Sequence, residues 1–351
     1  MRQPLAPQDE MTMLRNFLLS LLIVSISIPA FAHNKQPGKG IIIRPARATW
    51  PTGYFHATII EKGLRELGYT VEKPKELPVT QFFNTVAQGD VDYWPNSWFP
   101  LHDNYLEKQN DSISAVGYVL KKQGLQGYLV DKKHAAALKI KSLDDFKRPE
   151  VRKAFDKDGD GKADLTGAPP GWAAVNVINM HIDKYGLKDH VKQINESYEV
   201  AMAANLAAYK TGDPIFYYTW TPSWIIYKLV PGKDVIWINV PFNIPITDSK
   251  KELKLMRLHE VEGAATDPIN MGFSVADIRV IANKKFLESN PPAKKFLELF
   301  TIDLCDLNEE YTKIMEGENS QQDINLHAEE WIKDNQDTWN SWLEQARHTV
   351  N

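Results

Sequence analysis

From residue 41 onward the apolar residues alternate between two periods, and that alternation restricts the fold more than any single motif does. Ile41 to Arg44 reads as a strand, and an amphipathic helix follows from about Tyr54 to Leu67, closed by Gly68. Tyr69 to Glu72 predicts the next strand, Phe82 to Ala87 a second helix ending at Gly89, and Val91 to Trp94 a third strand. Strand and helix in turn predict an α/β fold with a mainly parallel sheet. Two glycine-marked stretches, residues 123–130 (QGLQGYLV) and 272–282 (GFSVADIRVIA), bracket a middle block. The expected organisation is a discontinuous first lobe, residues 41–124 plus 272–351, with a second lobe, 125–271, inserted into it. Helical patterns at Pro292 to Phe300 and from about Ile324 to Ala346 complete the first lobe. With 351 residues, 43% of them hydrophobic, the chain can build two cores of ordinary size.

The segment before this pattern reads as an address. From Met11 there is one positive charge at Arg15, an apolar run from Phe17 to Ile28, then Ala30, Phe31 and Ala32. These are the three parts of a secretory signal peptide with an A-x-A cleavage site, and the run is shorter than the roughly 20 residues of a spanning helix. Residues 1–32 are thus expected to be a signal, cut after Ala32, with a polar linker over 33–40. The start codon is Met1, Met11 or Met13. No cysteine follows the cut to carry a lipid, and no later stretch is apolar enough to span a membrane. The expected product is a soluble periplasmic protein. Lys plus Arg is 41 and Asp plus Glu is 45, a net charge of −4 with no basic footprint for nucleic acid. The single cysteine, Cys305, excludes an intramolecular disulfide and any zinc site built on several thiolates.

Enzyme signatures are missing. The chain has no phosphate-binding G-x-x-x-x-G-K-[ST], no G-x-G-x-x-G after the first strand and no H-E-x-x-H. Ser274 in GFSVA lacks the final glycine of a nucleophile elbow and reads as part of a strand. The loop DKDGDGKAD has Asp156, Asp158, Asp160 and Asp164 at calcium-loop spacing around Gly161, but Gly167 stands where the bidentate glutamate belongs. An acidic, glycine-rich surface turn is the preferred reading and calcium the alternative; no metal and no cofactor is assigned.

Ten tryptophans are the unusual part of the composition. Trp331, Trp339 and Trp342 fall in a helical pattern with Ile324, Ile332 and Leu343, and Trp237 sits in a strand; these read as packing. Trp98 in NSWFPLHDN, Trp172 in GAPPGWAAV, and Trp220 and Trp224 in FYYTWTPSW instead adjoin proline or glycine, at element ends where side chains project into a cleft. Trp50 and Trp94 flank turn prolines and stay undecided. Indole faces around a space suit a quaternary ammonium, which has no N–H to donate and is attracted by ring quadrupoles at about 0.5 to 2 kcal/mol per face. After Pro169 and Pro170 a helix should begin near Trp172 and end at Gly186, leaving the amides of Ala173 and Ala174 free for an anion. His102, four residues after Trp98, could donate a further hydrogen bond. Cation and carboxylate together describe a betaine. Buried rings that merely pack, and a structural histidine, remain the alternative to this box.

The mature sequence resembles the periplasmic glycine betaine/proline betaine-binding proteins of osmoprotectant ABC importers, the ProX type. The likeness is carried by PGKGI, LRELGYTVEKP, PLHDNY, QGYLVDKK, DKDGDGKADLTG, PGW, FYYTWTP, KLVPGKDVIW and VIANKKF, in that order. It implies a type II periplasmic-binding fold, two α/β lobes that close on ligand like a hinged clamp, without catalysis. It also implies a monomer that delivers its ligand to a membrane permease and its ATPase. An aromatic box would map to Trp98, Trp172 and Trp220, and carboxylate contacts to His102 and the amides of Ala173 and Ala174. Other ligands of the same class, choline or carnitine, and a role in presenting ligand to a sensor, are the alternatives. One departure stands out: relatives carry bridged cysteines beside the PGW turn, where this chain has Ala168 and Ala174, so the turn has to be held by other means.

Overall fold

A computed structural model describes residues 36–50, 53–246 and 252–350, which form one compact unit. The signal sequence, its cleavage site and the possible start codons lie outside the described residues. Eight strands carry the two main sheets: β1 (Tyr93–Phe99), β2 (Ile113–Gly124), β3 (Gln126–Asp131), β4 (Ala163–Thr166), β5 (Val191–Ile194), β6 (Phe216–Trp220), β7 (Val235–Ile238) and β8 (Ala276–Asn283). The first sheet has the order β1-β8-β2 and the second β7-β3-β6-β4-β5. A single residue, Leu125, separates β2 in one sheet from β3 in the other, and the chain returns to the first sheet through β8. The glycine-marked stretches therefore coincide with the two places where the chain changes sheet.

The sheets are less parallel than the strand–helix alternation suggests. β8 is antiparallel to both β1 and β2, and β3 is antiparallel to β6 and β7, whereas β4 is parallel to β5 and β6. The cause is topological. β2 leads out of the first sheet and β8 leads back in, so when the two lie side by side they must run in opposite directions. The parallel pairing expected near the N-terminus survives as two-residue ladders, Ile42–Ile43 with Thr70–Val71 and Ala46–Arg47 with Lys75–Glu76.

Helices cover these sheets: α1 (Tyr54–Glu66), α2 (Val79–Gln88), α3 (Ala173–Lys184), α4 (Tyr198–Thr211), α5 (Pro291–Leu299), α6 (Leu304–Glu316), α7 (Gln321–Asp334) and α8 (Gln336–Arg347). The pattern from Ile324 to Ala346 is thus two helices, broken at Asn335. In α1 the residues from Phe55 to Ile60 are all buried, and Gly63 lies so close to Phe296 of α5 that a Cβ there would meet its Cζ at 2.0 Å. Glycine is required at that crossing because nothing larger fits. The described part of the polar linker also packs down: the Gly38 amide donates to the Leu67 carbonyl at 2.9 Å. Trp237 and Trp339 are among the largest fully buried side chains, as packing residues should be.

Candidate functional site

The C-terminal ends of β1 and β6 face a common space, and each ends in the same three-residue pattern. Trp98 is the penultimate residue of β1, before a cis Phe99–Pro100 bond, and Trp220 is the last residue of β6, before a cis Thr221–Pro222 bond. Trp172 comes from a third element, the residue that precedes the first turn of α3. Gly171 before it holds φ at +93°, a backbone conformation that glycine adopts without strain and that turns the chain into the helix. All six residues expected at the site, Trp98, His102, Trp172, Ala173, Ala174 and Trp220, line this one pocket. Trp172 meets Trp220 edge to face with centroids 5.2 Å apart. About 40 Å³ is left for the centres of water-sized molecules, so a small, compact ligand would fill it.

The polar groups of the pocket are oriented by the surrounding chain. The Trp98 indole N–H donates to Asn96 Oδ1 at 2.8 Å, which fixes the plane of the ring. The Trp98 amide donates to His102 Nδ1 at 3.0 Å, with Ser97 Oγ 3.1 Å from the same nitrogen. A nitrogen that accepts from a backbone amide carries no proton, so the His102 proton sits on Nε2. Burial drives the His102 pKa down to about 3, and the ring therefore acts as a neutral N–H donor. Trp94 stacks on His102 at 5.7 Å and on Phe82 at 3.9 Å; it supports the histidine from behind rather than lining the pocket. Ala173 and Ala174 open α3, so their amides have no intrahelical acceptor. No side chain caps this end and its first turn carries no acid, which leaves the positive end of the helix directed at the pocket.

Two hydrogen-bonding wall residues, Tyr218 and Gln126, were not singled out by sequence. Tyr218 stands two positions before Trp220 and so shares its face of β6. Gln126 lies directly opposite Trp220 in the β3–β6 register, and its Oε1 accepts from the Tyr218 hydroxyl at 2.7 Å. Strand alternation back from Trp220 would have found Tyr218; Gln126 needed the pairing register. Trp50, undecided from sequence, also lines the pocket, edge to face with Trp172 at 5.2 Å. Trp224 lies behind: with Trp50, Trp220, Glu199 and Tyr311, Ile314 and Met315 of α6 it encloses a second, smaller space. Among the described residues lining the ligand-sized pocket there is no Asp, Glu, Lys or Arg.

The turn that carries Trp172 is held by hydrogen bonds from β5 and the residues after it. Gln193 accepts from the Ala168 amide at 3.3 Å and donates to Asn179 of α3 at 2.8 Å, while Asn195 donates to the Ala168 carbonyl at 2.9 Å. These bonds tie the stretch before the turn to the helix after it, the same two segments that a bridge between positions 168 and 174 would join.

Known proteins share this arrangement of sequence and fold. A family model described as the substrate binding domain of ABC-type glycine betaine transport system matches residues 42–334. The glycine betaine-binding periplasmic protein OusX of Dickeya dadantii (strain 3937) is 38% identical over 338 residues, covering 95% of this chain and 99% of its own. The glycine betaine/proline betaine-binding periplasmic protein of Escherichia coli (strain K12) is 37% identical over 322 residues, covering 92% of this chain and 94% of its own. Among solved structures, lactococcal OpuAC in its closed-liganded conformation with glycine betaine matches 86% of this chain and 99% of that one, with a TM-score of 0.64 at 20% identity. An ABC-transporter choline binding protein in complex with choline matches 88% and 97%, with a TM-score of 0.66 at 18% identity. At such identities the structural likenesses establish the fold, the two-lobed periplasmic-binding architecture.

Proposed function

The chain belongs to the family of substrate-binding domains of ABC-type glycine betaine transport systems, and from that premise we propose how this pocket holds its ligand and what the protein does with it. It is a substrate-binding protein of an ABC importer, and its ligand is glycine betaine or a related quaternary ammonium zwitterion such as proline betaine. The trimethylammonium group lodges against the faces of Trp98, Trp172 and Trp220, with Trp50 as a further wall. The carboxylate accepts from the amides of Ala173 and Ala174 and from His102 Nε2–H. The lobes, residues 41–124 plus 272–351 and residues 125–271, close around it, and the loaded protein presents the ligand to a membrane permease driven by its ATPase. The protein works by binding alone, without catalysis, in the periplasm. No helix among the described residues is long and apolar enough to cross a membrane.

The observation that carries this reading is the mismatch between the walls and their charges. A pocket without formal charge penalises a ligand with a net charge, since nothing on the wall balances it once water is gone. A zwitterion brings its own balance, provided that its cation meets polarisable faces and its anion meets donors. The rings serve the first need, at about 0.5 to 2 kcal/mol per face. The helix end and the neutral histidine serve the second. Calorimetry across glycine betaine, proline betaine, carnitine and choline tests it. The betaines should bind and choline, which lacks the carboxylate, should bind at least ~100-fold more weakly, because the donors would be left unpaired. Equal affinity for choline and glycine betaine would overturn the assignment of the anion site.

A further inference from the structure

The loop between the helix Pro149–Phe155 and β4 lies outside the pocket and has no part in the proposed function. It brings one carboxylate oxygen from each of Asp156, Asp158 and Asp164 within 4.8 Å of one another. Asp156 turns the loop, its carboxylate accepting from the amides of Gly159 at 2.8 Å, Asp160 at 3.1 Å and Gly161 at 2.9 Å. Such turns are common and prove nothing by themselves. Asp164 is different. It stands at the head of β4 with only 7% of its surface exposed, and while its Oδ2 accepts the Lys157 amide at 2.8 Å, its Oδ1 is buried with no donor. A buried carboxylate oxygen beside two more carboxylates is costly unless a cation sits among them. The ammonium of Lys192, on β5, binds the outer carboxylates, Asp158 at 2.5 Å and Asp160 at 3.0 Å, and leaves Asp164 Oδ1 unsatisfied.

We propose that Asp156, Asp158 and Asp164 hold a calcium ion, with Asp160 at the rim of the site and Lys192 as the internal cation that competes with it. The donors are all oxygen, which suits a hard cation and gives zinc none of its preferred nitrogen or sulfur ligands. Oxygens within 4.8 Å of one another can share one ion at calcium–oxygen bonds of about 2.4 Å, and magnesium is the weaker candidate because it sheds its water reluctantly and is seldom held by a cluster of protein carboxylates alone. Sequence alone favours a bare acidic turn because Gly167 supplies no twelfth-position carboxylate. The donorless oxygen of Asp164 is what tips the balance, and the missing glutamate instead sets the affinity, at the weak end of ~10⁻⁴ to 10⁻³ M. The ion would fix the start of β4, where Asp164 lies eight residues before Trp172.

The full chain, stripped with a chelator, would be titrated with calcium and with magnesium by calorimetry and by thermal midpoint. One calcium per chain in that affinity range, a raised midpoint, and magnesium weaker by ~10-fold are expected. Asp164→Asn and Asp156→Asn should each abolish the heat, and Lys192→Gln should tighten calcium several-fold by removing the competing charge. Betaine binding by the same samples reports that each variant is folded. The proposal fails if ~10 mM calcium gives neither heat nor shift, or if calcium binds equally well to both folded aspartate variants.

Discussion

The molecule has two aromatic clusters built from the same residue, and burial does not tell them apart. Trp98 beside the pocket and Trp342 in the C-terminal helices are both 7% exposed. What differs is where the ring is mounted and where its N–H points. In the C-terminal cluster the rings sit on helix faces and cross to other helices: Trp339 meets Phe296 of α5 at 5.7 Å and donates to Glu66 of α1 at 2.9 Å, and Trp331 donates to Asp306 of α6 at 2.7 Å. Each such ring ties two elements together. In the pocket the rings sit at the ends of β1 and β6 and at the start of α3, and they face a space. The Trp98 indole N–H bonds within its own strand, to Asn96, and the buried Trp220 N–H has no partner. A ring on an element's face serves packing, and a ring at an element's end is available to a ligand.

A reciprocal pair of truncations tests that division. Trp339→Ala should cost about 3 to 5 kcal/mol of stability, since it opens a cavity in a core and frees Glu66, while glycine betaine affinity of the protein that remains folded stays the same. Trp172→Ala should do the reverse. Affinity falls by about 2 kcal/mol, or ~30-fold, through loss of one cation-facing ring, with little change in thermal midpoint because Trp172 is only half-buried. If Trp172→Ala unfolds the protein and leaves affinity intact, the two clusters are the same kind of structure and the distinction collapses.

Trp50 sits on the boundary between the two kinds and should give a smaller effect. It faces the ligand-sized pocket on one side and the space closed by Tyr311, Ile314 and Met315 on the other. Trp50→Ala should weaken glycine betaine by about 0.5 to 1 kcal/mol, or ~3-fold. It should also narrow the preference for glycine betaine over the bulkier carnitine, because the two spaces would merge. A loss as large as that of Trp172→Ala would make Trp50 a principal wall, and no change in either ligand would make it packing.

The same distinction explains how far the sequence could be read. Trp98, Trp172 and Trp220 were legible because proline and glycine mark element ends, and the helix behind Trp172 was legible from its prolines. Trp94 was not, for a geometric reason. Counted by alternation it shares a face with Trp98, four positions on, but the β1–β8 register shifts by one residue between them, pairing Trp98 with Ile278 and Trp94 with Ile281. An extra residue in one strand reverses the phase of alternation, and only the partner strand reveals it. Gln126 was hidden for the same reason, since its place in the pocket depends on which residue of β6 it pairs with. The strand–helix order was likewise legible and the sheet direction was not, because no local pattern says that β8 returns beside β2.

Histidine extends the contrast to pH, where the expected change at the pocket is the smallest of all. His102 and His327 are both buried, yet their charges go opposite ways. Burial alone acts on His102 and takes its pKa to about 3. At His327 burial also lowers the pKa, but the carboxylates of Glu310 at 2.9 Å and Glu318 at 2.8 Å outweigh it and the net shift is upward. Through proton linkage the two shifts act on stability with opposite dependence on pH. His327 contributes stability that is fully present below the unfolded value of about 6.5 and is lost as pH rises through its folded pKa. His102 is neutral when folded, so acid favours the unfolded chain from about 6.5 downward without changing the folded pocket. Glycine betaine affinity should therefore stay flat, within ~2-fold from pH 5 to 8, when measured by calorimetry. Over the same series the midpoint difference between the native chain and His327→Gln should be larger at low pH than at high pH. A tenfold rise or fall in affinity across that range would mean that His102 titrates in the folded protein, and then the proton on Nε2 could not be the fixed donor that the carboxylate requires.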